Sequence, residues 1–196
     1  MSSRDFILDR VRRNQPESRP LPDVPLFDPP VASPLAVFTT ALERMGGRVA
    51  HPTPDGVDAL IRSLFPQARV VASATPEVIG SRDLSALRAP AELHDVDVGV
   101  VRGRFGVAET GSVFLSESEL VVNSIGFLSQ HLVVLLDPAA IVPNLHHAYR
   151  SALFREARYA VLMTGPSATA DIEGVLIRGA QGIRSFTVVP LAAPSG

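Results

Sequence analysis

Leu132–Leu136 reads LVVLL, five apolar residues with no polar position among them. A strand with one wet face alternates apolar and polar side chains, so a strand apolar throughout must be covered on both faces. Other short apolar runs share this texture: Arg69–Ser73, Asp97–Val101, Val113–Leu115, Leu120–Val122, Ala160–Thr164 and Phe186–Val189. Between them lie segments of helical period. Leu35, Phe38, Ala41, Leu42 and Met45 line one helix face, which stops at Gly46-Gly47; Val57, Leu60, Ile61, Leu64 and Phe65 line another. A further helix is expected after Pro143, through Leu145, Ala148 and Leu153. Strand and helix in alternation predict an α/β fold with a mainly parallel sheet covered by helices, with hairpins in the strand-rich stretch 97–136.

The amino end has a different character. Phe6, Ile7 and Val11 give a short amphipathic helix over Asp5–Arg13, and Pro16–Pro34 then carries seven prolines. That density admits neither helix nor central strand. The expected organisation is a helix and proline-rich arm over 1–30, followed by one α/β domain over 31–196, a length suited to a single core. A net charge of −2 gives no field that would draw the chain to nucleic acid or an anionic membrane. No apolar run approaches the ~18 residues of a membrane span. The charged start, MSSRDFILDRVRRNQ, lacks an export-type apolar segment, so the cytoplasm is the expected compartment.

Cysteine and lysine are both missing, and all eighteen basic residues are arginine. Disulfides, thiolate nucleophiles, thiolate-held clusters, Schiff-base lysines and the P-loop Gly-Lys-Ser/Thr are thereby excluded. Any anion must be met by arginine, by backbone N–H groups or by hydroxyls. His146 and His147 are adjacent and point ~100° apart on a helix, so they lack metal-pair spacing. His131 reads as a hydrogen-bonded structural histidine, and His51 and His94 lie in loops. No metal site and no cofactor are assigned.

One loop stands out. TGPSATADIEG, Thr164–Gly174, follows an apolar strand and precedes VLIRGAQG. Ligands in open α/β sheets bind where a strand end turns into a helix. On that reading Gly165 permits close backbone approach, Pro166 stiffens the turn, and Ser167 or Thr169 caps a helix whose free N–H groups hold an anion. The expected cradle is Thr164, Gly165, Ser167 and Thr169, with Asp171 and Glu173 as nearby acid–base groups. Two apart on a helix, those acids diverge by roughly 200° and would not serve one proton transfer. In the second stretch, GVAETGSVFL, Glu109, Thr110 and Ser112 put an acid and two hydroxyls at a glycine turn; Glu109 is a candidate base and Thr110 a candidate ligand contact.

Taken together, AETGS (108–112), QHLVVLLDPAAIVPNL (130–145) and TGPSATADIEG (164–174) resemble the lactate utilisation protein C family, the LUD-domain proteins. RDFILDRVRRNQ and RGAQGIRSFTVVPL also fall where that family would carry them. The resemblance implies a fold similar to the sugar-phosphate isomerase and CoA-transferase group. It also implies a part in oxidising L-lactate to pyruvate alongside two partner proteins, of which at least one carries iron–sulfur clusters. The chain departs from the family pattern in several places. Ala168 stands where Arg or Asn is common, Gln181 and Ile183 replace a His and a Pro, and Gln130 replaces a frequent Pro. The changes at 168 and 181 remove a positive side chain and a proton carrier. They favour a ligand-binding regulator without catalysis over a stand-alone enzyme on a sugar phosphate or acyl-CoA with Glu109 as base or nucleophile.

Overall fold

The computed structural model describes residues 2–28, 33–170 and 173–194. In chain order they form α1 (Ser3–Arg13), α2 (Pro34–Arg44), β1 (Arg48–Val49), α3 (Val57–Leu64), β2 (Val71–Ser73), β3 (Val98–Gly103), β4 (Phe105–Val107) and β5 (Ser112–Ser116). Then follow α4 (Glu117–Leu120), α5 (Ile125–Leu128), β6 (His131–Leu136), β7 (Ile141–Val142), α6 (Leu145–Arg150) and α7 (Leu153–Glu156). The chain closes with β8 (Ala160–Met163), β9 (Ala168–Thr169), β10 (Ile177–Arg178) and β11 (Ser185–Pro190). The fold is α/β, with a central five-stranded sheet in the order β1-β11-β6-β3-β2, every pairing parallel.

The all-apolar β6 lies at the centre of that sheet and sends alternate side chains into two cores. Leu132, Val134 and Leu136 join one cluster; Val133 and Leu135 join another with Val57, Leu60, Ile61 and Phe65 of and just after α3. Helix α3 therefore covers one face. The other is covered by α2, through Phe38 and Leu42, and by a second sheet, β7-β4-β5-β8, which brings Val113, Leu115 and Met163. In that sheet β4 and β5 form the hairpin expected from the central stretch. Its outer face, Phe105, Val107 and Phe114, is closed by Ala148 of α6 and Leu153 and Phe154 of α7. Burying one such side chain stabilises by about 1.5–3 kcal/mol, so the two-faced burial of β6 contributes on the order of 10 kcal/mol.

Two expected elements differ. Leu120–Val122 is not a strand: Leu120 ends α4, and Val121 takes φ 60° as the chain turns. The acids of ESE win here, because Ser116 caps the turn and its N–H and hydroxyl donate to Glu119 Oε2 at 2.9 and 2.6 Å. The helix after Pro143 is broken in two at Ser151-Ala152, with Asn144 as the N-cap of the first piece.

The arm touches the domain at its distal end. Asn144 Nδ2 donates to the carbonyls of Leu26 (2.8 Å) and Phe27 (3.1 Å), and Arg150 donates to that of Val24 (2.8 Å). Phe27 packs on His146, and Asp28 pairs with His147. Helix α1 buries no residue. Deleting residues 1–30 is accordingly expected to leave a cooperatively folding chain. Thermal unfolding followed by far-UV circular dichroism checks this, and a broad, non-cooperative melt would move the domain boundary into the arm.

The carboxyl edge of the parallel sheet carries an ion pair. Arg102, near the end of β3, donates through Nε to Glu77 at 2.6 Å and through Nη1 to the Leu191 carbonyl at 3.2 Å. Glu77 also accepts from Thr75. Partial burial pushes the Glu77 carboxyl up, but the Thr75 hydroxyl and the Arg102 guanidinium outweigh it and hold the group below its ordinary value. A depressed folded-state pKa means the stabilisation is present above the ordinary glutamate range and is lost as pH falls through the lower folded value. Glu77→Ala should cost about 2 kcal/mol at pH 7, less than for a fully buried pair because both side chains keep some exposure. Denaturant melts at several pH values read this directly: the gap between wild type and variant should narrow below about pH 4.

Candidate functional site

Helix α2 ends against two turns from distant parts of the sequence. Gly111 has φ +67°, and a Cβ there would lie 2.3 Å from Leu42 N and 2.6 Å from Leu42 Cα. Gly165 has φ +69°, and its Cβ would lie 2.6 Å from the Met45 carbonyl oxygen. Both positions combine a left-handed backbone with a contact against main chain, which only glycine tolerates. The 108–112 turn and the 164–165 turn are thereby pressed against the same helix end.

The result is a cleft of about 410 Å³ lined by Ala41, Arg44, Met45, Glu109, Thr110, Ser112 and Thr164. Its hydroxyls form a chain. Thr110 Oγ1 and Ser112 Oγ are 2.7 Å apart, and Ser112 is also hydrogen-bonded to Thr164. Ser112 is almost wholly buried, whereas Arg44 and Glu109 are exposed at the rim. Glu109 Oε2 accepts from the backbone N–H of Leu145 (3.1 Å), at the start of α6. One carboxylate oxygen thus anchors a neighbouring helix start. A guanidinium, hydroxyls whose protons can rotate and one carboxylate form a set suited to a small carboxylate bearing a polar substituent.

Of the residues singled out by sequence, Glu109, Thr110, Ser112 and Thr164 share this cleft, and Gly165 directly follows Thr164. The others do not line it. Among the described residues the expected helix after Gly165 is absent: Ala168–Thr169 pairs antiparallel with Ile177–Arg178 in a two-stranded hairpin. Ser167 is no helix cap, because its N–H donates to the Ile183 carbonyl (3.0 Å) and its carbonyl accepts from Gly179 N (2.6 Å). Thr169 lies opposite Ile177, and Glu173 sits at the hairpin tip with φ 55° beside Gly174 at φ 69°. The chain reverses at Glu173-Gly174, well short of Ile177, so the strand pair is closed by a wide loop and not by a two-residue turn. Asp171 lies outside the described residues. The helix-terminus cradle is therefore replaced by a cleft of side-chain donors.

No sequence signal marks Arg44, because an arginine before Gly46-Gly47 reads as ordinary helix C-terminal chemistry. The hairpin reinforces that end: Arg178 packs over Gly46 and donates to the Arg44 carbonyl at 3.2 Å. Among the departures from the family pattern, Ala168 and Gln181 are exposed, whereas Ile183 is buried in the main core. Among the described residues no cluster of His, Asp and Glu could hold a metal ion, and no helix is long and apolar enough to cross a membrane.

No curated protein matches the chain by sequence. Among solved structures it is similar to a DUF162 family protein from Deinococcus radiodurans. That match has 16% identity and a TM-score of 0.59, and covers 80% of this chain and 95% of the other, a likeness of fold. The model of the LUD domain matches residues 85–190, which include β3 to β8, the hairpin and β11, and with them Glu109, Thr110, Ser112 and Thr164. The chain belongs to the LUD-domain family.

Proposed function

We propose that this chain is the ligand-binding component of a lactate-utilisation system, and that the cleft at the end of α2 holds a small hydroxy- or keto-carboxylate. The observation that carries the reading is the convergence of Arg44, Glu109, Thr110, Ser112 and Thr164 on one cavity from three separate segments. Arg44 would pair with the carboxylate. Thr110 and Thr164 would donate to, or accept from, the substituent at C2, since a hydroxyl can turn to suit either an alcohol or a ketone. LUD-domain membership ties this to lactate utilisation in general.

Oxidation of lactate to pyruvate releases two electrons and two protons. Glu109 offers a carboxylate for one proton, but its other duty toward Leu145 N fits binding and orientation better than turnover. The electrons would pass to acceptors on iron–sulfur partner proteins, whose clusters need thiolates that this chain lacks.

Isothermal titration with L-lactate and with pyruvate tests the reading. Arg44→Gln should weaken either ligand about tenfold or more, the loss of one charge-assisted pair. Arg44 is exposed, so its replacement should change stability by less than about 0.5 kcal/mol. Thr110→Val should weaken binding by about 1 kcal/mol. Equal affinity in wild type and Arg44→Gln would sink the assignment of this cleft.

A further inference from the structure

A second cavity, about 450 Å³, opens at the amino ends of β1, β6 and β11. Parallel register sets Ser185 beside His131, and Arg48 at the start of β1 beside Thr187. Arg48 Nε donates to Thr187 Oγ1 at 2.9 Å, and its guanidinium carbon stands 5.5 Å from the centre of the Phe65 ring. The side chain is thus steered by two contacts, with its terminal nitrogens left over. Arg184 lines the same cavity. Among the described residues neither arginine forms an ion pair.

The acid in the lining does not answer them. Asp97 Oδ2 accepts from the backbone N–H groups of Arg69 (2.7 Å) and Val70 (2.9 Å), which commits it to the start of β2. His131 is stacked on Phe65 with ring centres 4.6 Å apart, and its Nδ1 is 2.8 Å from Ser185 Oγ. Burial, then the nearby Arg48 and Arg184 charges, push the His131 imidazole below its usual pKa. Asp97 opposes that shift, so the cavity sets two arginine charges against one carboxylate.

We propose that this cavity binds the phosphoryl group of a small phosphate ester between Arg48 and Arg184. The Ser185 hydroxyl supplies a further donor, and the ester's organic part lies along Leu64, Phe65, Pro66 and Ala68. Two guanidinium forks offer more donors than one carboxylate can accept, but they match the three terminal oxygens of a phosphoryl group. In a chain without lysine, arginine is the only long cationic side chain available for that task. The volume exceeds what bare phosphate needs and falls within the range of small-ligand pockets.

The test is titration of the full chain with inorganic phosphate and with glycerol 3-phosphate at constant ionic strength, followed by phosphorus-31 line broadening. Both should bind saturably, glycerol 3-phosphate more tightly. Arg184→Gln, at an exposed position, and Arg48→Gln should each raise the Kd about tenfold or more. Arg88→Gln, which removes an exposed charge elsewhere, should leave it unchanged. Should Arg48→Gln fail to fold, Arg184→Gln decides alone. Non-saturable broadening, or an Arg184→Gln affinity equal to wild type, overturns the proposal. Loss of L-lactate binding on replacing Arg44 reports on the other cleft, so the two readings fail separately.

Discussion

The end of α2 is held by main chain pressed against main chain. Gly111 and Gly165 each sit in the left-handed region with their missing Cβ directed at the backbone of residues 41–45. A Cβ at either position would overlap that backbone, so the seam has no room for a side chain. This seam docks the second sheet's turns on the helix, and α2 in turn supplies Phe38 and Leu42 to the main core. The cleft follows from the seam: Arg44 comes from one side of it, and Glu109, Thr110, Ser112 and Thr164 from the other.

Much of the architecture was legible in sequence because burial leaves a pattern. LVVLL became the central strand, with odd and even side chains in separate cores, and the helical faces at 35–45 and 57–65 became α2 and α3. Short elements were not legible. Arg48–Val49 and Ile141–Val142 are two-residue strands fixed only by their partners, and Phe105–Val107 is held by a hairpin and a parallel neighbour. At 168–178 the sequence predicts a helix where a hairpin forms, because Ser-x-x-x-Asp-x-Glu imitates a helix start. Pairing of Ser167 with Ile183 and Gly179 overrode that local preference. For the site, Glu109, Thr110 and Thr164 were recoverable as polar groups beside glycine turns. Arg44 was not, because its role depends on contacts from more than sixty residues away along the chain.

The chain's choice of arginine over lysine divides its charge chemistry into spent and unspent groups. At the carboxyl edge of the parallel sheet, the Arg102 guanidinium is engaged by Glu77 and the Leu191 carbonyl, beside a cavity of about 340 Å³. At the helix end, Arg178 is consumed by the Arg44 carbonyl. Arg44, Arg48 and Arg184 line cavities and form no ion pair among the described residues. Anion binding by exposed guanidiniums at either cavity should weaken as salt is raised.

Whether the α2 cleft is the carboxylate site is decided most directly by a crystal structure with L-lactate bound. The ligand should lie with its carboxylate within hydrogen-bonding distance of the Arg44 guanidinium, and its hydroxyl within reach of Thr110 or Thr164. Lactate seated at Arg48 and Arg184 instead, or an empty α2 cleft at saturating lactate, would contradict it.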